Sequence, residues 1–156
     1  MTIKETSTGV VFEVEIVPVE EAEFVDLNEK RYFFDWKAEQ KYEVFKLRKV
    51  VSTDILGLIS LESIPNEWRV HIRLLTVSIE NKGKDKKYEG IAGNLIAHAA
   101  VIAVRDYAEL ACVSLRPKNH IAQHYINKYN MRKTGVTLSI EVPEILDLIK
   151  NYNHDK

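Results

Sequence analysis

Two glycines stand where a helix should begin, in the stretch KKYEGIAGNLIAHA at residues 86–99. Glycine in the first turns of a helix costs about 1 kcal/mol relative to alanine, so the absence of side chains at these positions must have another advantage. One reason is a ligand that approaches the exposed N–H groups, because a helix N-terminus binds anions such as phosphate through them. The other is tight packing against a neighbouring element. The spacing of Gly90 and Gly93 alone is a weak motif and leaves both interpretations open.

Two histidines form the other pattern that could do chemistry. His120 and His124 lie four residues apart, a spacing that puts both on one helix face and can bind a metal ion. The sequence has no HExxH pattern and no obvious third ligand, so polar surface or cleft-lining residues are the favoured interpretation, and we expect no metal site. Cys112 is the single cysteine and lies in an apolar run, which excludes a disulfide framework and indicates a small core residue.

Charge is balanced over the chain, with 22 Lys and Arg against 23 Asp and Glu. No global field therefore recruits nucleic acid or a membrane surface, and any anion site must be local. Three lysines, Lys82, Lys84 and Lys86, precede the glycines and could add positive charge to an anion site. A solvent-exposed loop explains these lysines equally well. The length suits one domain spanning residues 1–156. The opening MTIKETSTG lacks the apolar core of a signal peptide, and no stretch has the length of a membrane span, so we expect a cytoplasmic protein.

Strand patterns dominate the first half of the chain. Residues 10–18 alternate between apolar and acidic side chains, as a half-buried strand does. Residues 20–30 are weakly helical, and residues 31–36 (RYFFDW) are ambiguous between a helix end and a strand, with a strand favoured. Three further strands are predicted at 42–50, 53–62 and 67–80. Because the turns between them are short, antiparallel pairing is expected.

The 67–80 strand contains a break in its side-chain period. Trp68, Val70, Ile72 and Leu74 occupy even positions, whereas Leu75, Val77 and Ile79 occupy odd ones. A β-bulge within residues 73–77 resolves this, because one extra residue restores the phase and leaves backbone groups unpaired for a ligand. The alternative is a strand buried on both faces.

Helices and strands alternate in the second half. The patterns predict a helix at 88–106, a short central strand at 109–115 and a helix at 118–129. One or two short strands follow within 131–141, and a closing helix at 143–152 has Pro143 near its first turn. The long connection through the 88–106 helix allows the strands on either side of it to pair in parallel.

With these elements in place, residues 53–141 resemble the GNAT superfamily of acetyl-CoA-dependent N-acetyltransferases. The family motif is Gln or Arg, two residues, Gly, one residue, then Gly or Ala, which opens a helix after a bulged strand. Here it becomes Lys87-Tyr-Glu-Gly90-Ile-Ala92, with lysine in place of arginine or glutamine. The resemblance implies a mixed α/β fold, mostly antiparallel, with a sheet splayed at the cofactor site and flanked by helices.

The resemblance also implies acetyl-CoA as co-substrate, with its pyrophosphate on the helix N-terminus, where Gly90 removes a Cβ from its path. Gly93 is interpreted as a packing residue. The positions that the resemblance assigns to cofactor binding are Val77, Ile79, Lys87, Tyr88, Glu89, Gly90, Ile91, Ala92 and Asn119.

Catalysis in this family needs a base that makes the amine neutral and an acid that protonates the leaving thiolate. Glu80 is the predicted base, with Glu62 and His71 as alternatives. The family tyrosine falls on Ile126 if the Asn119–Ala122 motif is kept, and on Tyr125 if the helix shifts by one residue. We favour Tyr125 as the acid. Asn130 replaces the family glycine and can still adopt the left-handed cap conformation.

The sequence therefore predicts an N-acetyltransferase that uses acetyl-CoA and a primary amine of unknown identity. The alternative is a catalytically inactive module of the same fold that binds CoA or a protein partner. A homodimer is left open.

Overall fold

A computed structural model describes residues 1–117, 122–134 and 136–154, which form a nine-stranded mixed sheet with flanking helices. The strands are β1 (Thr2–Glu5), β2 (Val11–Pro18), β3 (Glu43–Lys49), β4 (Ile55–Ile64), β5 (Arg69–Val77), β6 (Tyr88–Glu89), β7 (Cys112–Leu115), β8 (Arg132–Thr134) and β9 (Thr137–Glu141). The α-helices are α1 (Glu29–Tyr32), α2 (Ile91–Tyr107), α3 (Ala122–Tyr129) and α4 (Glu144–Asn151). Mixed α/β architecture agrees with the sequence prediction.

The strand order in the sheet is β6-β1-β2-β3-β4-β5-β7-β9-β8. β5 and β7 pair in parallel, from Arg69 opposite Cys112 to Ile72 opposite Leu115, which confirms the predicted crossover through α2. β7 pairs antiparallel with β9, and β9 with β8, so the predicted strands within 131–141 are two antiparallel strands, with residue 135 outside the described residues. Residues 118–121 of the predicted 118–129 helix lie outside the described residues.

The favoured strand at residues 31–36 is wrong. The segment contains the end of α1, and at its last residue a 3-10 helix begins that spans Trp36–Glu39. Asn28 caps α1 by accepting a hydrogen bond from the Arg31 N–H at 2.9 Å, and Phe33 ends it in the left-handed conformation. The buried aromatics Tyr32 and Trp36 are four residues apart, and the Trp36 indole N–H donates to the Tyr32 carbonyl. Burial of both rings by a compact turn outweighs the strand preference of aromatic residues.

Other boundaries differ from the sequence prediction as well, and three of them bear on the site. The 67–80 strand ends at Val77, and Ile79–Asn81 form a 3-10 turn. The 88–106 helix begins only at Ile91, because Tyr88–Glu89 pair with β1 as a strand. β7 begins at Cys112, after a 3-10 turn at 108–110. β1 has no predicted counterpart, because Ile3 is its only buried apolar residue and gives no period to detect.

Contacts divide the chain into two compact units, and β4, β5 and α2 each contribute to both. The first unit comprises residues 1–60 and 74–96, and the second comprises 61–73 and 97–156. A cluster in the first unit contains Val19, Phe24, Leu27, Tyr32, Trp36, Val44 and Leu58. Buried apolar residues of the second unit include Val70, Ile72, Val113, Leu138, Ile140, Ile145 and Ile149. Whether residues 1–156 form one domain stays a prediction.

Among the described residues, each helix is too short or too polar to cross a lipid bilayer.

Candidate active site

The start of α2 shows why Gly90 is a glycine. Its φ is +100°, a conformation that residues with a Cβ rarely adopt. A Cβ built there would lie 3.6 Å from both the Asn94 Nδ2 and the Thr2 carbonyl oxygen, which is ordinary contact. Backbone conformation, and not crowding by protein atoms, therefore requires glycine at this position. Asn94 fixes the turn, because its Nδ2 donates to the Gly90 carbonyl at 2.7 Å and to the Thr2 carbonyl at 2.9 Å.

The first turn of α2 carries N–H groups that the helix itself does not use. The first backbone bond in the helix is donated by the Asn94 N–H to the Gly90 carbonyl at 3.1 Å. The N–H groups of Ile91, Ala92 and Gly93 precede that bond and have no intrahelical acceptor. They lie at the positive end of a 17-residue helix. This turn has the chemistry of an anion site.

The backbone just before Gly90 is already occupied by protein groups. The Lys87 N–H donates to the Glu80 carbonyl at 3.1 Å, and its carbonyl accepts from the Thr6 N–H at 3.0 Å. The Tyr88 N–H donates to Asn81 Oδ1 at 2.9 Å. Any ligand contact of Lys87 in this arrangement is therefore made by its exposed side chain and not by its N–H group.

A cavity of about 120 Å³ lies beside this loop. It is lined by Lys49, Ser52, Asp54, Leu56, Glu80, Lys87 and Tyr88. The two ammonium groups lie over the same Tyr88 ring, at 4.7 Å for Lys49 and 5.6 Å for Lys87. Two cations and two carboxylates thus meet at one small cavity, which gives the site mixed charge.

Burial along β5 stays on the even positions and does not show the change of phase that a bulge would produce. Val70, Ile72 and Thr76 are buried, and the three residues 73–75 are each half-buried. The register with β7 ends at Ile72, but β5 continues to Val77. The predicted cofactor residue Ile79 lies beyond the strand, exposed, in the 3-10 turn. The bulge itself stays a prediction.

Glu80 is held by an arginine that sequence reasoning missed. Arg31 Nη2 donates to Glu80 Oε1 at 2.5 Å, while Nη1 and Nη2 donate to both oxygens of Asp54 at 2.7 and 3.0 Å. Burial raises the pKa of Glu80, but hydrogen bonds from Arg31, the Glu80 backbone and Ser78 outweigh burial and hold that pKa below its usual value. The Glu80 carboxylate is therefore ionised at neutral pH and is hydrogen-bonded to Arg31. Arg31 gave no sequence signal, because its partners lie 23 and 49 residues away.

Comparisons of this chain with known proteins concern its overall fold. No protein-family model matches the sequence, and no curated protein matches it. A dodecameric spermidine N-acetyltransferase from Vibrio cholerae matches the structure with a TM-score of 0.62 at 14% identity, over 86% of this chain and 97% of that chain. A GNAT-family acetyltransferase from Listeria monocytogenes gives 0.61 at 10%, over 91% and 100%. A candidate streptothricin acetyltransferase from Bacillus anthracis, in complex with acetyl coenzyme A, gives 0.62 at 13%, over 83% and 98%.

This chain has the GNAT fold. At 10–14% identity the likeness concerns architecture, and it confirms the fold that the Lys87–Ala92 motif predicts. Each of these solved chains is covered almost completely, so the GNAT fold accounts for most of the present chain.

The predicted acid of this GNAT-fold chain, Tyr125, lies half-buried on α3. Its ring contacts those of His124 and Tyr129, with centroids 5.8 and 5.9 Å away. Burial raises the pKa of the Tyr125 hydroxyl, which keeps the phenol protonated. Ile126 is also half-buried, so burial does not separate the two registers. Asn119, the remaining predicted cofactor residue, lies outside the described residues.

The other acid–base candidates also have partners. Glu62 lies 3.5 Å from Arg73 through Oε1 and Nη1, on neighbouring strands β4 and β5. His71 contacts Ser114 and Arg69. Within the described ranges there is no group of three or more His, Cys, Asp and Glu side chains that could hold a metal ion, and His120 lies outside those ranges. His124 is exposed beside the Tyr125 ring.

Proposed function

We propose that this chain is an N-acetyltransferase that transfers an acetyl group from acetyl-CoA to a primary amine. The observation that carries the proposal is the first turn of α2. It follows a left-handed glycine and offers N–H groups without intrahelical acceptors, in a fold whose Bacillus anthracis neighbour was solved with acetyl coenzyme A. These groups suit a pyrophosphate, because a helix N-terminus combines unpaired donors with positive potential.

The residues that would hold acetyl-CoA follow from this turn. The N–H groups of Ile91 and Ala92 would bind the pyrophosphate, and Gly90 leaves the approach free of a side chain. Lys87 would supply charge through its ammonium group, as a point charge and not as an arginine fork. The backbone of β5 up to Val77 would bind the remainder of the cofactor. When bound, acetyl-CoA supplies an activated acetyl thioester.

The transfer needs two proton movements. The neutral amine nitrogen attacks the acetyl carbonyl carbon, the new C–N bond forms, and the C–S bond breaks with its electron pair going to sulfur. A base removes the surplus proton from nitrogen, and an acid gives a proton to the thiolate. Glu80 is the proposed base, acting through water because Arg31 occupies its carboxylate, and Tyr125 is the proposed acid.

A second candidate is a CoA-binding module without transferase activity. The observation that favours it is the ion pair between Arg31 and Glu80, because a carboxylate of lowered pKa is a weak base for an ammonium substrate. Both candidates predict cofactor binding, and only the first predicts turnover.

Acetyl-CoA binding is tested with a pair of matched lysine variants. Lys87 lies 5.6 Å from the ring of Tyr88, and Lys41 lies 5.4 Å from the ring of Tyr42, so each pairs with its following tyrosine. Lys87→Ala should weaken acetyl-CoA binding about tenfold in calorimetry, which corresponds to about 1.4 kcal/mol. Lys41→Ala removes the same local contact far from the motif in sequence and should bind normally. Equal affinity of both variants would contradict the proposed pyrophosphate position.

Turnover is measured as release of free CoA thiol from acetyl-CoA in the presence of a panel of primary amines. Release that depends on an amine, with the acetylated amine identified by mass spectrometry, supports the transferase. Tight acetyl-CoA binding without release across a panel of polyamines, aminoglycosides, amino acids and peptide N-termini supports the binding module.

A further inference from the structure

Three polar side chains form a hydrogen-bonded network on one face of β5 and β7. The parallel register places Arg69 opposite Cys112 and His71 opposite Ser114, so these side chains share a face. Arg69 Nη1 lies 2.7 Å from Ser114 Oγ, and His71 Nδ1 lies 2.8 Å from the same oxygen. Arg69 Nη1 is also 3.3 Å from His71 Nδ1. Ser114 is 1% exposed, so water does not compete for its hydroxyl.

The direction of each hydrogen bond follows from the donor inventory. A guanidinium has N–H donors and no acceptor, so Arg69 donates to Ser114 Oγ. The hydroxyl proton of Ser114 is then available for His71 Nδ1. The contact between Arg69 and Nδ1 also has Arg69 as its only possible donor. Nδ1 has a single lone pair, which accepts from Ser114 at 2.8 Å, and a proton on Nδ1 would point at the Arg69 N–H group 3.3 Å away. The neutral ring therefore carries its proton on Nε2.

The charged groups around the His71 ring also favour its neutral form. Arg69 and Arg73 act on the ring from β5 and Glu62 from β4, while Glu67, in the turn before β5, binds Arg69. Both carboxylates are paired, since Arg69 binds Glu67 and Arg73 lies 3.5 Å from Glu62. Burial first, and then the two arginines against the opposing effect of Glu62, lower the pKa of His71. Among the described residues, Nε2 has no hydrogen-bond partner, so its N–H is available to a ligand.

We infer that Arg69 and Ser114 are positioning residues that hold His71 as the neutral Nε2–H tautomer, so that His71 offers the substrate a hydrogen-bond donor and not a base. The tautomer stands on the geometry alone, and the role toward substrate rests on the proposed transferase function. The inference removes His71 from the candidate bases and leaves the carboxylates of Glu80 and Glu62.

Nitrogen NMR of the free protein tests the tautomer without any substrate. The ring signals of His71 are assigned by their loss in His71→Gln. We expect an unprotonated Nδ1 and a protonated Nε2 at pH 7 and above, and a mixture of tautomers with a raised pKa in Ser114→Ala. Ser139→Ala is the matched control, because Ser139 is a buried serine opposite Ser114 on β9. An imidazolium at pH 7, a protonated Nδ1, or the same spectrum in Ser114→Ala would overturn the inference.

Kinetics test the role toward substrate. Glutamine can place an N–H near the position of Nε2, whereas asparagine places one near Nδ1. We expect His71→Gln to lower kcat/KM by less than about fivefold and His71→Asn by about tenfold or more, with the acid limb of the pH profile retained in both. Loss of the acid limb together with a fall of about 10²-fold or more in both variants would make His71 the base and overturn the role. If no amine supports turnover, the transferase proposal fails while the NMR result still decides the tautomer.

Discussion

Arg31 joins two carboxylates that belong to different loops. It donates to both oxygens of Asp54 and to both oxygens of Glu80, from Nη2 at 2.5 Å and from Nε at 3.5 Å, and its guanidinium lies 5.3 Å from the Tyr32 ring centroid. Because a bidentate fork fixes orientation as well as charge, Arg31 determines where the Glu80 carboxylate points. The arginine is therefore as important to the candidate base as Glu80 itself.

Replacing Arg31 should change the titration of Glu80. In Arg31→Gln the carboxylate loses its main charged donor but stays partly buried, so we expect the pKa of Glu80 to rise. A carboxylate whose pKa is lower in the folded than in the unfolded protein stabilises the fold at pH values above its unfolded pKa. This stabilisation is lost as the pH falls through its folded pKa. The variant should therefore lose less stability between pH 5 and pH 3 than the wild type.

Carbon NMR of the glutamate carboxyl groups measures this directly. Arg48→Gln is the control, because Arg48 forms a comparable ion pair with Glu15 on neighbouring strands. An unchanged pKa of Glu80 in Arg31→Gln would show that the backbone and Ser78 hold the carboxylate without the arginine.

Tyr125 is tested by removing only its hydroxyl. Tyr125→Phe keeps the ring contacts with His124 and Tyr129 and deletes the proton that would go to the thiolate. We expect kcat to fall about 10²-fold with little change in acetyl-CoA affinity, as for loss of a general acid. Tyr129→Phe is a control for the neighbouring hydroxyl. A Tyr125→Phe enzyme with the wild-type kcat would instead make Tyr125 a packing residue and leave protonation of the thiolate to solvent.

At the scale of elements, the candidate cofactor turn depends on how α2 packs on β4. A Cβ added at Gly57 would lie 2.6 Å from Ile91 Cγ2, 3.0 Å from Leu95 Cδ1 and 3.2 Å from the Thr76 carbonyl oxygen. Gly57 thus lets the first turns of α2 approach the strand closely. Gly90 permits the backbone conformation at which α2 begins, and Gly57 permits the short distance between α2 and β4.

Gly57→Ala should destabilise the protein by overpacking. The new methyl group would push against the stiff, β-branched Ile91, so we expect a loss of about 1–3 kcal/mol in the free energy of unfolding. Denaturant titrations measure this loss. Ile91→Ala removes the clashing Cγ2, so Gly57→Ala should cost less in that background. An equal cost in both backgrounds would show that Ile91 is not the limiting contact.

The N-terminal strand gives the motif a second support. β1 pairs with β6 immediately before Gly90, and the Thr6 hydroxyl donates to the Lys86 carbonyl at 2.6 Å. These bonds bring residues 2–6 beside a loop some eighty positions later in the chain. Because residues 88 and 89 pair with β1, they form a strand and not the first residues of the expected helix, which begins at Ile91.

At the scale of the whole molecule, two half-buried histidines should make stability depend on pH. Burial, followed by nearby His154 and Arg105, lowers the pKa of His98 to about 4, and burial lowers that of His154 to about 4. Because the unfolded value is about 6.5, both residues stabilise the fold fully above pH 6.5 and lose that contribution as pH falls toward 4. The free energy of unfolding should therefore decrease over this range.

His98→Gln should remove part of this pH dependence, since His154 still titrates. Urea unfolding at half-unit steps from pH 7 to pH 4 measures the slope. His124→Gln, at an exposed position on α3, should keep the wild-type slope. Parallel curves for the wild type and His98→Gln would mean that His98 is not held neutral by the fold.

The sequence by itself determined the properties that depend on neighbours along the chain. Periodicity gave the strands around Ile16, Leu47 and Leu58, the long helix after Gly90, and the closing helix after Pro143. The GNAT fold was implied by the resemblance of the motif from Lys87 to Ala92, which lies between a predicted strand and a predicted helix. These features are local, so one chain was sufficient to find them.

Only the tertiary structure decided which distant groups meet. The strand Thr2–Glu5 exists because β6 and β2 pair with it, and the 31–36 segment turns because Tyr32 and Trp36 are buried together. Arg31 reaches Glu80, and Arg69 joins His71 to Ser114, across separations of 43 to 49 residues. Hydrogen bonds and ion pairs of this kind depend on distances of a few ångströms between segments. No pattern within a single segment records those distances.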